Sequence, residues 1–304
     1  MNWSDFKTEV SGKWVLTGEH SVLRGATAIA VPYQSVGLSL CFEFKTNSNL
    51  NVMPQSAQGL VQELFDSVAD AWEEEGNTFV YPTGQLEIKS TIPIGAGLGS
   101  SAALCVALTR WMAEPLGLQE KDWVEFATRL EHRFHGRSSG MDVAAISYGE
   151  PISYVMGEGV NLIGIKKLPF FTLHDTNLRT RTSDCVLRVE QFREESAALA
   201  IRVDEEMSVA SRWALEGLIR YDAGSCQEGL DLLQKAMKRA HQCFDTWQLV
   251  PEPAERLKEQ LIEEGALAVK LTGAGGGGML VALWPSHSLK SFEPSLTSGL
   301  RRPI

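Results

Sequence analysis

No uninterrupted apolar run in the 304 residues approaches the roughly 20 that a membrane-spanning helix needs, so no membrane partner is expected. Cysteine is scarce. The five present (Cys41, Cys105, Cys185, Cys226 and Cys243) form an odd, widely separated set without a CxxC pair, which argues against a disulfide framework or a zinc module and fits thiols in a reducing cytosol. Positive charge is also short: 28 Lys and Arg face 38 Asp and Glu, for a formal charge of −10, and the basic residues are scattered. A nucleic acid or an anionic membrane would need a basic stripe, so neither is expected as a partner, and an anionic small molecule would require a local basic site. The opening residues, MNWSDFKTEV, carry acids and no apolar core, so a cytoplasmic location is expected. Repeats and low-complexity linkers are absent.

What is present reads as an ordinary globular chain, 44% hydrophobic and 22% charged, long enough for two domains or one large α/β unit. Val36, Leu38, Leu40, Phe42 and Phe44 alternate as in a half-buried strand over 35–44, whereas Leu60, Leu64, Phe65, Val68 and Trp72 follow helical spacing, with Gly76 where a C-terminal cap would fall. A strand over 85–90 runs into a glycine-rich stretch and a helix over 102–112. Trp123, Phe126, Leu130 and Phe134 mark another amphipathic helix, and 136–140 reads as a tight loop. Short strands are expected over 151–175, long helices over 183–221 and 224–247, and two strands over 266–271 and 279–284. The expected domain boundary lies near Gly164, dividing the chain into 1–164 and 165–304.

Three glycine-bearing segments carry the chemical signal. In PIGAGLGSSAAL (93–104), Gly95, Gly97 and Gly99 allow backbone to approach a bulky anion, and Ser100 and Ser101 open a helix whose free N–H groups and dipole favour phosphate. The string lacks the GK[ST] ending of a Walker loop, so any lysine must come from elsewhere. SGKWVLTGEHSVLRG (11–25) supplies Lys13 ahead of an apolar run, and Glu19 and His20 after it. KLTGAGGGGMLVAL (270–283) sets five glycines in six positions between two apolar strands, suiting a substrate-facing loop. Taken singly, each segment has a plainer reading: a capped loop, a solvated lysine followed by a polar turn, and a hairpin.

Together and in this order, the segments resemble the signature motifs of the GHMP kinase superfamily, named for galactokinase, homoserine kinase, mevalonate kinase and phosphomevalonate kinase. The resemblance runs from Gly12 to Leu283, and GKWVLTGEHSVLRG, GAGLGSSAA, EHRFHGRSSGMD and KLTGAGGGG look most like the mevalonate kinases. It implies an α+β fold of two domains, a ribosomal-protein-S5-like α/β domain with the phosphate loop and a ferredoxin-like α+β domain with the last glycine run, the active site lying between them. It also implies transfer of the γ-phosphoryl group of ATP, with Mg2+, to the hydroxyl of mevalonate. Ser90, Gly95, Ala96, Gly97, Leu98, Gly99, Ser100 and Ser101 would then hold the nucleotide, and Glu131 with Ser101 the metal. Asp142 would act as general base with Lys13 beside it. Lys13, Glu19, His20, Asp142, Thr272, Gly273 and Ala274 would face the acceptor, and Arg179 or Arg181 would pair with its carboxylate. A homodimer is expected on the same resemblance.

Two residues depart from the family's HGxPSGxDNA pattern: Ser138 stands where proline is expected and Val143 where asparagine is expected. Both border the acceptor loop, so phosphomevalonate kinase stays as an alternative. A non-catalytic metabolite sensor on the same fold is a second, although such proteins tend to lose the base or the lysine, and this chain keeps both.

Overall fold

A computed structural model describes residues 1–46, 48–135 and 138–285. In chain order it contains β1 (Phe6–Thr17), β2 (Ala28–Phe44), β3 (Leu50–Met53), α1 (Gln58–Glu74), β4 (Gly84–Ser90), α2 (Ser100–Leu116), α3 (Trp123–His135), α4 (Met141–Tyr148), β5 (Ile152–Val155), β6 (Gly159–Leu162), β7 (Phe171–Asp175), α5 (Thr182–Glu195), α6 (Ala197–Asp222), α7 (Cys226–Thr246), α8 (Glu252–Glu263), β8 (Ala268–Thr272) and β9 (Met279–Leu283).

The long strand β2 organises the first sheet, in the order β3-β4-β2-β5-β6, with β1 also on β2. Its alternating half, Val36 to Phe42, turns one face into the core and pairs with β4, while Ala28 to Ala30, buried on both faces, pairs with β5. The alternation therefore marks only the half of the strand with a solvated face; the preceding AIAVP run is strand as well. Against this sheet lies α2, apolar on nearly every side because β1, β2, α3 and α4 all pack on it. Trp3, Phe42, Phe65 and Trp111 fill the centre of this core with rings 4.5–6.5 Å apart.

The second sheet, β7-β9-β8, is antiparallel and is covered by helices whose buried residues include Met207, Phe244, Trp247 and Leu261. Helices α6 and α7 pack closely because Gly217 and Gly229 face one another; a Cβ on Gly229 would lie 2.8 Å from the Gly217 carbonyl oxygen. The two sheets are bound together along β1: Trp14 packs on Phe171, ring centroids 5.0 Å apart.

The α+β class expected from the sequence is the class observed. The helix expected over 183–221 is broken at Ser196, where φ is −143° and ψ 55°, giving α5 and α6. Two further helices, α4 and α8, were not expected. Of the loop expected over 136–140, Gly136 and Arg137 lie outside the described residues. The chain leaves the first sheet at Leu162 and enters the second at Phe171.

Candidate active site

Lys13 lies in β1, where strand burial covers its stem and only the ammonium has a polar destination. Its backbone N–H donates to Leu98 O at 3.1 Å, so the strand edge pairs with the glycine loop. Its Nζ donates to Gly97 O at 3.1 Å and lies 2.7 Å from Asp142 Oδ2. The stem fits because Gly99 lacks a side chain: a Cβ there would stand 3.0 Å from Lys13 Cε. Asp142 sits in the first turn of α4, after Gly140 in the left-handed region at φ 81°, where free N–H groups favour an acid. Glu131 comes from the buried face of α3, beside Leu130 and one turn after Ala127, and accepts a hydrogen bond from the Ser138 hydroxyl at 2.5 Å. Burial, and then the negative charge of Asp142, push its pKa up to about 7, against the pull of Ser138 and Lys13. Lys13, Glu131 and Asp142, far apart in sequence, thus converge.

Gly95, Gly97 and Gly99 all have positive φ, and the loop ends at the first turn of α2. The third glycine run packs on this loop. A Cβ on Gly97 would meet Thr272 O at 2.6 Å, one on Gly273 would meet Gly97 Cα at 2.7 Å, and one on Gly278 would meet Ala96 O at 2.8 Å. Such backbone-to-backbone approach requires glycine and excludes the loose hairpin reading.

Between these elements opens a cavity of about 680 Å³, lined by Lys13, Glu19, His20, Ser90, Gly95, Gly97, Leu98, Gly99, Ser100, Ser101, Glu131, Asp142, Gly273 and Ala274 among others. Leu38, Ala57, Leu60 and Ile88 give one part of its wall an apolar surface, whereas Arg179, Arg181, Thr182 and Ser183 give another part cationic and hydroxyl groups.

Two of the expected contact residues are not brought to the wall. Ala96 is buried, and its carbonyl accepts from Met279 N at 3.2 Å. The Thr272 hydroxyl is occupied by β1, accepting from Val15 N at 2.7 Å and donating to Val15 O at 3.0 Å. Both hold the two glycine segments and the two sheets together, and neither lines the cavity. The side chain of Arg179 is held by Asp175 through two hydrogen bonds of 2.7 and 2.6 Å, while Arg181 is exposed at the cavity rim just ahead of α5.

His20 adopts φ 57°, which turns its ring onto Trp247 and Phe244 (centroids 5.2 and 6.1 Å away). Burial lowers its pKa to about 4, so the ring is neutral at physiological pH. Its Nε2 stands 2.8 Å from Ala274 O, an acceptor only, so Nε2 carries the proton and Nδ1 is left as an acceptor. Glu19 is buried against Lys270, with Nζ 2.5 Å from Oε1. Burial raises the carboxyl pKa and lowers that of the ammonium. Glu19 Oε2 has no hydrogen-bond partner among the described residues. Lys270 does not line the cavity but pairs with Glu19, which does; the sequence signal for that support was a lysine inside a strand otherwise free of charge, AVKLT. The hydroxyl of Ser138 was missed.

The chain matches the family model for the GHMP kinases N terminal domain over residues 60–150 and that for GHMP kinases C terminal over 214–293, together more than half of its length. It is 27% identical to the mevalonate kinase of Archaeoglobus fulgidus over 285 residues, covering 92% of each chain. In fold it is similar to the L. major mevalonate kinase solved with R-mevalonate (TM-score 0.75, 23% identity, 99% of this chain and 97% of that one). The likeness of fold extends to the Streptococcus pneumoniae phosphomevalonate kinase solved with phosphomevalonate and AMPPNP (TM-score 0.71, 16% identity, 92% of each). Two family models, one on each side of a cavity where a glycine-lined helix start, a buried lysine and two carboxylates meet, agree with the geometry: the chain belongs to the GHMP kinase superfamily.

Proposed function

We propose that this chain transfers the γ-phosphoryl group of ATP to the hydroxyl of mevalonate. One contact carries the reading: Lys13 Nζ against Asp142 Oδ2 at 2.7 Å, beside the glycine loop. Gly95 to Gly99 and the first turn of α2 hold the phosphates, with Ser90 and the apolar wall from β2, α1 and β4 around the rest of the nucleotide. Asp142 takes the proton of the acceptor hydroxyl as its oxygen bonds to the γ-phosphorus and the bond to ADP breaks. The ammonium of Lys13, 2.7 Å from Asp142 Oδ2, holds the carboxylate in place and offsets charge on the transferring group. Glu131 and Ser101 offer a cation hard oxygen donors, and a carboxyl whose pKa is raised by burial and by the neighbouring charge of Asp142 fits a cation partner. They would hold Mg2+, which supplies charge neutralisation to the phosphates when bound. Glu19, His20, Gly273 and Ala274 face the acceptor, and Arg181, unlike Arg179, is placed to pair with its carboxylate.

Mevalonate is favoured over phosphomevalonate because the Archaeoglobus fulgidus protein, to which this chain is similar along nearly its whole length, is a mevalonate kinase. We further propose the domain boundary near Gly164. A homodimer is proposed on the resemblance, and a cytoplasmic setting on cysteines suited to a reducing compartment; among the described residues no helix is long and apolar enough to cross a membrane. A coupled ADP-release assay with mevalonate, phosphomevalonate, homoserine and galactose tests the assignment. Mevalonate should give the highest kcat/KM. Preference for phosphomevalonate would overturn the acceptor, and nucleotide binding without turnover on any of the four would leave a sensor.

A further inference from the structure

The Ser138 hydroxyl makes two bonds at once: it donates to Glu131 Oε2 at 2.5 Å and accepts from the backbone N–H of Gly140 at 3.0 Å. It therefore ties the carboxylate on α3 to the turn that launches α4 and Asp142. The turn itself is fixed from several sides. The Tyr154 hydroxyl donates to Ser139 O, Met141 N donates to Ser139 Oγ at 3.3 Å, and Gly140 is packed so that a Cβ would stand 3.0 Å from both Thr128 Oγ1 and Tyr154 Oη. A hydroxyl held this way has one orientation to offer, with its proton directed at Glu131.

We infer that Ser138 is a positioning residue that orients the Glu131 carboxylate toward a divalent cation carried with the nucleotide. The inference rests on the reading of Glu131 as a metal-binding residue and deepens it. A carboxylate on a helix turns freely about its last side-chain torsion; a hydrogen bond to one oxygen fixes that rotation and the direction in which the remaining lone pairs point. Groups that orient a metal-binding side chain typically contribute about 10–100-fold in metal affinity. The family pattern places proline here, which has no hydroxyl to give; this chain therefore carries an orienting contact that the pattern lacks.

The test is Mn2+ binding, followed by the loss of the free-ion electron paramagnetic resonance signal, on full-length protein saturated with a non-hydrolysable ATP analogue. Ser138→Ala should weaken Mn2+ binding about tenfold, and Ser138→Thr, which keeps the hydroxyl, should restore most of that loss. Binding of the analogue without metal and thermal unfolding should match the parent in both variants, which separates orientation from misfolding. Glu131→Gln is the control for the underlying reading. If it weakens Mn2+ binding while Ser138→Ala does not, or if the threonine variant binds as weakly as the alanine, the role of Ser138 is overturned. If Glu131→Gln leaves Mn2+ binding unchanged, the metal-site reading falls, and the inference with it.

Discussion

Lys270→Met removes the ammonium that lies 2.5 Å from Glu19 while keeping the length of a wholly buried side chain. Glu19 is then left as a carboxylate only 3% exposed, with Oε2 already without a partner among the described residues. Breaking a buried pair by removing one member costs about 3–5 kcal/mol, and proton uptake sets the ceiling. Burial already raises the Glu19 pKa above its ordinary 4.5 with Lys270 in place, and Lys270 is the largest opposing influence, so the variant raises it further. A carboxyl whose folded pKa exceeds its unfolded one binds protons more tightly when folded. Stability is then retained below the unfolded value and lost as pH rises through the folded value. Urea unfolding of parent and variant should therefore show a small difference near about pH 5 that grows to about 3–5 kcal/mol near about pH 8. Glu19→Gln combined with Lys270→Met removes the stranded charge and should recover most of the loss at the higher pH. A deficit equal at both pH values, or a double variant as unstable as the single one at the higher pH, would refute the reasoning.

Asp142→Asn keeps the shape of the group facing Lys13 and removes its basicity; kcat should fall by about two orders of magnitude or more while calorimetric nucleotide binding changes little, and unchanged turnover would remove Asp142 from the mechanism. Glu131, with its pKa at about 7, should give kcat/KM an acid limb near neutrality when Mg2+ is limiting, because the protonated carboxyl has lost the charge that attracts a cation. Protons and metal compete for the same oxygens, so raising Mg2+ should move the limb to lower pH, and a limb that ignores Mg2+ would argue against the assignment.

The parts of this molecule legible in its sequence are those where one face differs chemically from the other. The alternation from Val36 to Phe44 reports a strand because one side meets water, and the spacing of Leu64, Phe65 and Val68 reports α1 for the same reason. Helix α4 has no such contrast: Val143, Ala144, Ala145 and Ile146 are all buried, so no 3.6-residue period survives. The break at Ser196 carries neither glycine nor proline, the residues that punctuate a helix in sequence. Lys13, Glu131 and Asp142 were found by resemblance, since nothing in their spacing shows that α3 and α4 present both acids to one strand. Ala96 and Thr272 stand behind the cavity wall rather than on it because their motifs mark a contact without saying which of its two faces meets solvent.

That last ambiguity explains the third glycine run. Five glycines in six positions read as a loop shaped by its ligand, yet only Gly273 and Ala274 of the run line the cavity. Gly275 lies against Phe244 and Leu249, Gly276 against Thr180, Gly277 against Leu178 and Gly278 against Ala96, each at a distance where a Cβ would collide. The run is thus a packing surface on which the phosphate loop and the segment bearing Arg179 and Arg181 are both seated. Residues next to the second sheet thereby fix the geometry of the glycine loop that the first domain offers to the proposed phosphate site, and substitutions in this run should reach that site by displacing the loop.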